Sequence, residues 1–318
     1  MEILTWIAGI LFFPGLLFTA LISLWLAGAD RVLVARMQRR VGPPLLQPWY
    51  DYLKCCGKET LIPRKANRTV YLAAPMLGLA SVLVTAMFLP IGGIRLADFG
   101  ADTIVILYLL TFASVTLIVG SAASGSPFAG VGLSREMVAM ISYELPFVLV
   151  LLAVGRVAGQ GSALGVTFSL AEISAFQSAN GVLLTHWSLL PAAAALLFVI
   201  PCEVGQQPLD IDEAETEICE GVLAEYSGRP LAQYKMMHYI KMYVMSGLFC
   251  ALFLNVQTGI AALDAVIYVV LCTLVTFVSM AVPHAVCARL RVEQVFKFYW
   301  TVVTLLAGLS LVLVWAGL

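Results

Sequence analysis

Eight continuous apolar runs, at about residues 3–27, 71–93, 102–123, 136–156, 184–205, 236–257, 262–286 and 298–317, limit what this chain can become. A helix needs about 20 apolar residues to cross the roughly 30 Å hydrocarbon layer, where each backbone N–H and C=O must be paired within the segment. The runs do not alternate with period two, and each is about twice the length of a barrel strand, which excludes a transmembrane β-barrel. Composition agrees, since 61% of the residues are hydrophobic and 12% charged, against about 25% charged in a soluble domain. The expected fold is an all-α polytopic bundle of about eight transmembrane helices, a single integral membrane domain over 1–318. The first run lacks a basic leader region and is too long for a cleaved signal, so it reads as a retained helix.

Lysine and arginine set the orientation, because they stay on the cytoplasmic side. The connection 29–70 holds nine of the eighteen, namely Arg31, Arg36, Arg39, Arg40, Lys54, Lys58, Arg64, Lys65 and Arg68. With eight spans, Arg135, Arg229, Lys235, Arg289, Arg291 and Lys297 fall on the same side, Arg95 and Arg156 fall opposite, and Lys241 lies within a span. One miscounted helix would destroy this bias. The pattern therefore predicts a multi-pass protein of the cytoplasmic membrane with both termini outside, a basic cytoplasmic loop at 29–70 and an acidic one at 203–235. The outer segment 158–180 reads either as a surface amphipathic helix or as an ordinary loop.

Ionisable residues inside spans are costly and mark functional candidates. In the fourth span Glu136 and Glu144 are eight residues apart, about 12 Å along a helix and some 80° around it, so both can face one interior side. Pro146 tends to kink the helix there and to free the Ser142 carbonyl for a water. The competing reading pairs Glu136 with Arg135 and leaves Glu144 inert.

Eight of the nineteen acids crowd into 23 residues: Glu203, Asp210, Asp212, Glu213, Glu215, Glu217, Glu220 and Glu225. Crowded, partly desolvated carboxylates raise one another's pKa and can load and release protons near neutrality; the plainer reading is a solvated acidic loop. In the sixth span Lys241 follows His238 by three residues, either buried in a water path or snorkelling to the surface. His284, at the end of the seventh, reads as an interface histidine.

In the basic loop, Val41-Gly42-Pro43-Pro44 breaks one element, and an amphipathic helix follows from Gln47. Arg36, Arg39, Arg40, Trp49 and Lys54 form a surface for an acidic soluble partner or for anionic lipid heads. No nucleotide loop, nucleophile elbow or HExxH motif occurs, and none of the seven cysteines forms a CxxC pair. No catalytic residue, metal site, disulfide or nucleic-acid surface is expected in this chain.

Together, Val41-Gly42-Pro43-Pro44 with Leu46-Gln47, Gly125-Ser126-Pro127-Phe128 with Ser134-Arg135-Glu136, Ile141-Ser142-Tyr143-Glu144-Leu145-Pro146, and Asp212-Glu213-Ala214-Glu215-Thr216-Glu217 through Glu225-Tyr226-Ser227-Gly228 resemble one family. It is that of the H subunit of respiratory NADH:quinone oxidoreductase and its counterpart in energy-converting group 4 membrane-bound hydrogenases. The resemblance covers nearly the whole chain, and the acidic stretch ending in Glu-Tyr-Ser-Gly is its most specific part. It implies a membrane anchor on which a soluble electron-transfer arm docks, with Glu136, Glu144, Glu203 and Asp210 to Glu225 starting a charged path towards antiporter-like subunits. The quinone enzymes typically carry Pro-Arg-x-Arg-x-Asp-Gln after the seventh span. Here Ala288-Arg289-Leu290-Arg291-Val292-Glu293-Gln294 lacks that proline and aspartate, which resembles the hydrogenase branch more closely. On that branch the implied partners are hydrogenase large and small subunits, an iron-sulfur subunit, antiporter-like membrane subunits and the lipid bilayer. The nickel-iron centre and iron-sulfur clusters would sit in the partners, with no cofactor in this chain.

Overall fold

A computed structural model of the chain describes residues 9–13, 15–91, 99–160 and 165–317, excluding the side chains of Glu215, Thr216 and Ala261. Arg95, the first residues of the first expected span, and part of the 158–180 segment lie outside the described residues. The described residues are largely helical, and eight of their helices are long and apolar enough to cross a membrane.

In chain order the elements are α1 (Leu16–Met37), the short α2 (Gln47–Gly57), α3 (Arg68–Met87), α4 (Asp102–Ser124), α5 (Pro127–Ala158), the short α6 (Leu170–Asn180), α7 (Leu190–Val204) and α8 (Gly228–Phe253). They are followed by α9 (Ala261–Thr276), which continues through a π-turn at Phe277–Ala281 to Val286, and by α10. The last starts as Val292–Phe298 and passes through a second π-turn, Tyr299–Val303, into Thr304–Ala316.

The bundle is arranged around α8. In its most apolar stretch 94% of the residues are buried, against 22–67% for the other spans, and it packs on α1, α2, α3, α7 and α9. α8 is the least apolar of the eight spans and carries Lys235, His238 and Lys241; polar groups are costly against lipid, so this helix takes the interior and the more apolar helices face the lipid. α3 and α4 pack as an antiparallel pair, and α5 carries α4 on one side and α7 and α10 on the other.

Several boundaries differ from the sequence reading, for one reason. Helices continue past the apolar core wherever their polar residues find partners inside the bundle. α1 runs to Met37 with Asp30 buried, so the basic connection begins only at Gln38. α5 begins at Pro127 instead of 136, which puts Glu136 well inside a helix. α8 spans Gly228–Phe253 instead of 236–257, bringing Lys235 into a helix. Pro146 lies in an uninterrupted α5 of 32 residues.

The segment near 170 is a helix. Ser169 caps it by accepting from the Ala171 N–H at 3.2 Å. From it, Gln177 donates to the carbonyls of Ala251 and Leu252 at 2.9 and 3.1 Å, satisfying the open end of α8. The expected amphipathic α2 also forms, with Pro48 and Cys55 buried.

A buried lysine-carboxylate site at the loop end of the bundle

The acidic loop 205–227 folds back into the bundle instead of extending into solvent. Glycines permit this. A Cβ on Gly132 of α5 would stand 2.6 Å from the Val222 nitrogen, and one on Gly221 would stand 2.0 Å from the Asp212 carbonyl oxygen. The Glu-Tyr-Ser-Gly segment clamps the far end. Tyr226 stacks on Tyr71 with ring centroids 4.2 Å apart and meets Tyr234 edge-on at 4.9 Å. The Tyr71 hydroxyl donates to the Glu225 carbonyl at 2.7 Å, and Ser227 Oγ accepts from the Leu61 N–H at 2.9 Å.

This folding brings four elements and the loop to one point. Lys241 of α8, 4% exposed, donates from Nζ to Ser114 Oγ of α4 at 2.8 Å and to the Glu203 carbonyl at the end of α7 at 3.2 Å. Its ammonium is 3.1 Å from Glu203 Oε1. Both side chains are essentially removed from solvent, so Lys241 does not snorkel. Ser114 Oγ is also 3.4 Å from the Tyr143 hydroxyl of α5.

Glu136 and Asp212, both buried, share with Lys241, Glu203, Glu213 and His238 the walls of a cavity of about 30 Å³. A void that size admits a water, and its polar walls offer the partners a water needs. A second cavity of about 210 Å³, lined by Arg31, Glu213, Glu220, Lys235 and Tyr239 among others, shares Glu213, Tyr234 and His238 with the first. Two adjacent chambers thus lie between the loop surface and the buried pair, with Glu213, Tyr234 and His238 in their shared wall.

Burial, reinforced by Asp210, lifts Asp212 to about 6 against the pull of its own backbone hydrogen bonds and of Lys241. The half-buried Glu213 is pushed up to about 8 by desolvation and by the charges of Asp212, Asp210 and Glu220. An ordinary glutamate titrates near about 4.3, so Glu213 changes charge close to neutral pH at the wall between the chambers.

The other candidates fall elsewhere. Asp210 accepts two bonds from Arg289 Nε and one from its Nη2 at 2.7–3.1 Å. Glu217, half-exposed, pairs with Arg135 at 2.7 Å, in place of the Arg135–Glu136 pair of the competing reading. Glu220 and Glu225 are exposed. Glu144 is half-buried and enters no hydrogen bond or ion pair among the described residues. The side chain of Glu215 lies outside the described residues.

On the basic loop Arg36, Arg39, Arg40 and Lys54 are exposed, beside a Val41 that is 99% exposed. Trp49 instead packs half-buried against the core, because α2 turns its apolar stripe inward. Arg31 is bound inward to Asp51 at 2.9 Å and to the Tyr239 hydroxyl at 3.1 Å. Partial desolvation acts upward on Asp51, and the Arg31 and Gln47 hydrogen bonds still hold it below the usual carboxylate range.

Sequence reasoning missed a polar network at the edge of the site. Gln206 donates to Asp30 Oδ2 at 3.0 Å and stands 3.4 Å from both His238 Nε2 and His284 Nδ1, tying α1, α8 and α9 together. Asp30 lay unnoticed at the border between an apolar run and a basic loop. A single acid three residues past a hydrophobic run carries little signal, and only the helical continuation of α1 shows that it is buried.

The sequence model of the NADH dehydrogenase family matches residues 10–315. The H subunit of the NADH-quinone oxidoreductase of Thermomicrobium roseum is 34% identical over 89% of this chain and 87% of its own length. Hydrogenase-4 component C of Escherichia coli is 33% identical over 86% of this chain and 85% of its own. Among solved structures, a chain of the membrane-bound sulfane sulfur reductase, an archaeal respiratory membrane complex, superimposes with a TM-score of 0.85 at 25% identity, covering 94% of this chain and 96% of that one.

Proposed function

This chain belongs to the NADH dehydrogenase family, whose members include the H subunit of the quinone oxidoreductases and the matching hydrogenase component, and from that premise we propose that it couples electron transfer in a docked soluble arm to ion movement across the membrane. It is a subunit of a multi-subunit respiratory membrane complex and carries out no redox step itself. The observation that carries the reading is the Lys241–Glu203 pair, buried beside Glu136 and Asp212, with Glu213 and His238 in the wall that separates its cavity from the outer one.

A buried ion pair with extra carboxylates nearby has more acidic sites than fixed positive charge. A proton or a charge arriving at the loop redistributes over these groups, because the low dielectric makes each ionisation depend on its neighbours. Glu213 takes the proton from the outer chamber, Asp212 and Glu136 pass it inward, and Lys241 and Glu203 exchange it with the membrane interior. Glu144 is the next carboxylate along α5 after Glu136. The exposed Glu217, Glu220 and Glu225 hold negative potential at the mouth.

Arg36, Arg39, Arg40 and Lys54 give the arm its landing surface. The lysine and arginine asymmetry puts that surface in the cytoplasm and both termini outside.

We assign the complex to the group 4 hydrogenase branch, with the nickel-iron centre and iron-sulfur clusters in partner subunits. The Ala288-Arg289-Leu290-Arg291-Val292-Glu293-Gln294 segment supports this choice, as does the likeness to a hydrogenase component. The likeness to the H subunit of an NADH-quinone oxidoreductase favours the second reading, a quinone-linked complex on the same fold.

Inverted membrane vesicles holding the whole complex test both points. Hydrogen production coupled to acidification of the vesicle lumen is the expected result, with Glu203→Gln and Lys241→Met keeping electron transfer and losing acidification. Full acidification in both variants overturns the path, and activity strictly dependent on added quinone moves the complex to the other branch.

A further inference from the structure

A larger cavity lies away from the charged site. It is an apolar crevice of about 650 Å³ on the flank of the bundle, walled by Phe198 and Pro201 of α7, Val278, Ser279 and Val282 of α9, and Tyr299 of α10. Its mouth opens outwards, since Phe198 and Val278 are nearly half-exposed and Val286 is 75% exposed. Two π-turns border it. The five-residue turn Phe277–Ala281 supplies Val278 and Ser279, and the turn Tyr299–Val303 supplies Tyr299. A π-turn inserts a residue into a helix and is frequently found at functional sites; two of them facing one crevice mark a built feature.

At the end nearest the loops, Leu290 is the common wall between this crevice and a polar cavity of about 320 Å³. Three arginines line that second cavity, Arg135, Arg289 and Arg291, together with Glu217 and Glu293. Arg289 is held by Asp210 and Arg135 by Glu217. Arg291 is exposed and enters no ion pair among the described residues. A guanidinium has five N–H donors, and the bonds of Arg135 to Glu217 and to the Ile211 carbonyl both start from Nη1. The combined space is amphipathic in a fixed order, apolar at membrane depth and cationic at the membrane surface.

We propose that this crevice is a binding site for one anionic phospholipid, with an acyl chain between α7, α9 and α10 and the phosphate against Arg291 and Arg135. Basic pockets between transmembrane helices at the cytoplasmic face hold such head groups, and the apolar volume is within the roughly 300–1,000 Å³ that bound small molecules commonly occupy. The lipid fills the gap opened by the two π-turns and ties α10, which buries little of its own surface, to the centre of the bundle.

The test uses the whole complex, purified in mild detergent, washed, and offered phosphatidylglycerol or phosphatidylcholine before lipid is counted by native mass spectrometry. The complex is expected to retain a phosphatidylglycerol that Ala194→Trp, at the crevice wall, excludes. Arg291→Gln is expected to weaken phosphatidylglycerol retention by about fivefold while leaving phosphatidylcholine unchanged. Val282→Phe serves if Ala194→Trp fails to assemble. Equal retention in the wild type and the filled variants overturns the proposal. Recovery of a quinone in place of phospholipid also overturns it, as does cross-linking of a Val282→Cys variant to a helix of another chain of the complex.

Discussion

Lys241 and Glu203 stand within 3.1 Å of each other at a depth where neither is tolerated alone. Removing one partner leaves an uncompensated buried charge and costs about 3–5 kcal/mol, whereas removing both together is often nearly neutral. Lys241→Met and Glu203→Gln are therefore each expected to lower the thermal stability of the purified complex, and the double variant to regain most of it without regaining ion transport. Calorimetry beside a vesicle assay separates the two effects; a double variant as unstable as the singles would mean that the pair does not stand alone. Glu213 gives a prediction in pH. Its folded-state pKa of about 8 lies above that of an ordinary glutamate, so the folded chain keeps a proton that the unfolded chain releases near about 4.3. The stabilisation from this group is complete below the unfolded value and is lost as pH rises through the folded one. On the proposed path transport would follow the same group, because an ionised Glu213 has no proton to pass inward. The alkaline limb of the transport profile should fall near pH 8 in the wild type and be absent, at a lower plateau, in Glu213→Gln. An unchanged limb in that variant would assign it to another group.

Among the elements, the acidic loop depends most on close contacts. Gly132→Ala pushes a methyl into the Val222 nitrogen of the loop, and backbone at that distance cannot move aside cheaply. Hydrogen exchange across 205–227 should rise in this variant while α3 and α4 stay protected. Tyr226→Ala removes the ring packed on Tyr71 and Tyr234, a loss on the order of 3 kcal/mol. Tyr226→Phe keeps the stacking and gives up the hydroxyl contacts to the Tyr71 carbonyl, at 3.4 Å, and to Tyr234, so it should lose much less than the alanine variant. If both variants freed the loop equally, the hydroxyl and not the ring would be the clamp. The spans themselves were legible because the bilayer imposes one length and one chemistry on them. Their ends were not, because Asp30 looks like a loop residue until its partner Gln206, from another element, is known. The acids were legible by their number, but Ser114 and Gln206 carry no sequence signal. Each acts through a neighbour on another element, and a lone serine or glutamine in a membrane helix is common.

For the molecule as a whole, charge is divided between two surfaces at the same end of the bundle. The basic face of Arg36, Arg39, Arg40 and Lys54 is exposed and lies beside an exposed apolar Val41, while the acidic loop is partly folded inward over the buried lysine. A soluble arm seated on the basic face would lie within reach of the outer chamber, whose walls include Tyr239 and Arg31, the residue that binds α2 through Asp51 and α8 through the Tyr239 hydroxyl. On the proposed function docking and proton loading would be coupled by position, since α2 packs directly on α8, the helix that carries His238 and Lys241. Reversing Arg36, Arg39 and Arg40 to glutamate should release the arm from washed membranes while leaving the bundle folded, because none of the three is buried. Long-range attraction of this kind is screened over about 10 Å at about 0.1 M salt, so a single reversal should give a complex that holds at low ionic strength and dissociates as salt is raised. Blue-native electrophoresis of membranes washed at graded salt reads this directly. An arm that stays bound to the triple variant at every salt concentration would show that apolar contacts, with Val41 and its neighbours, and not the basic face, hold it in place.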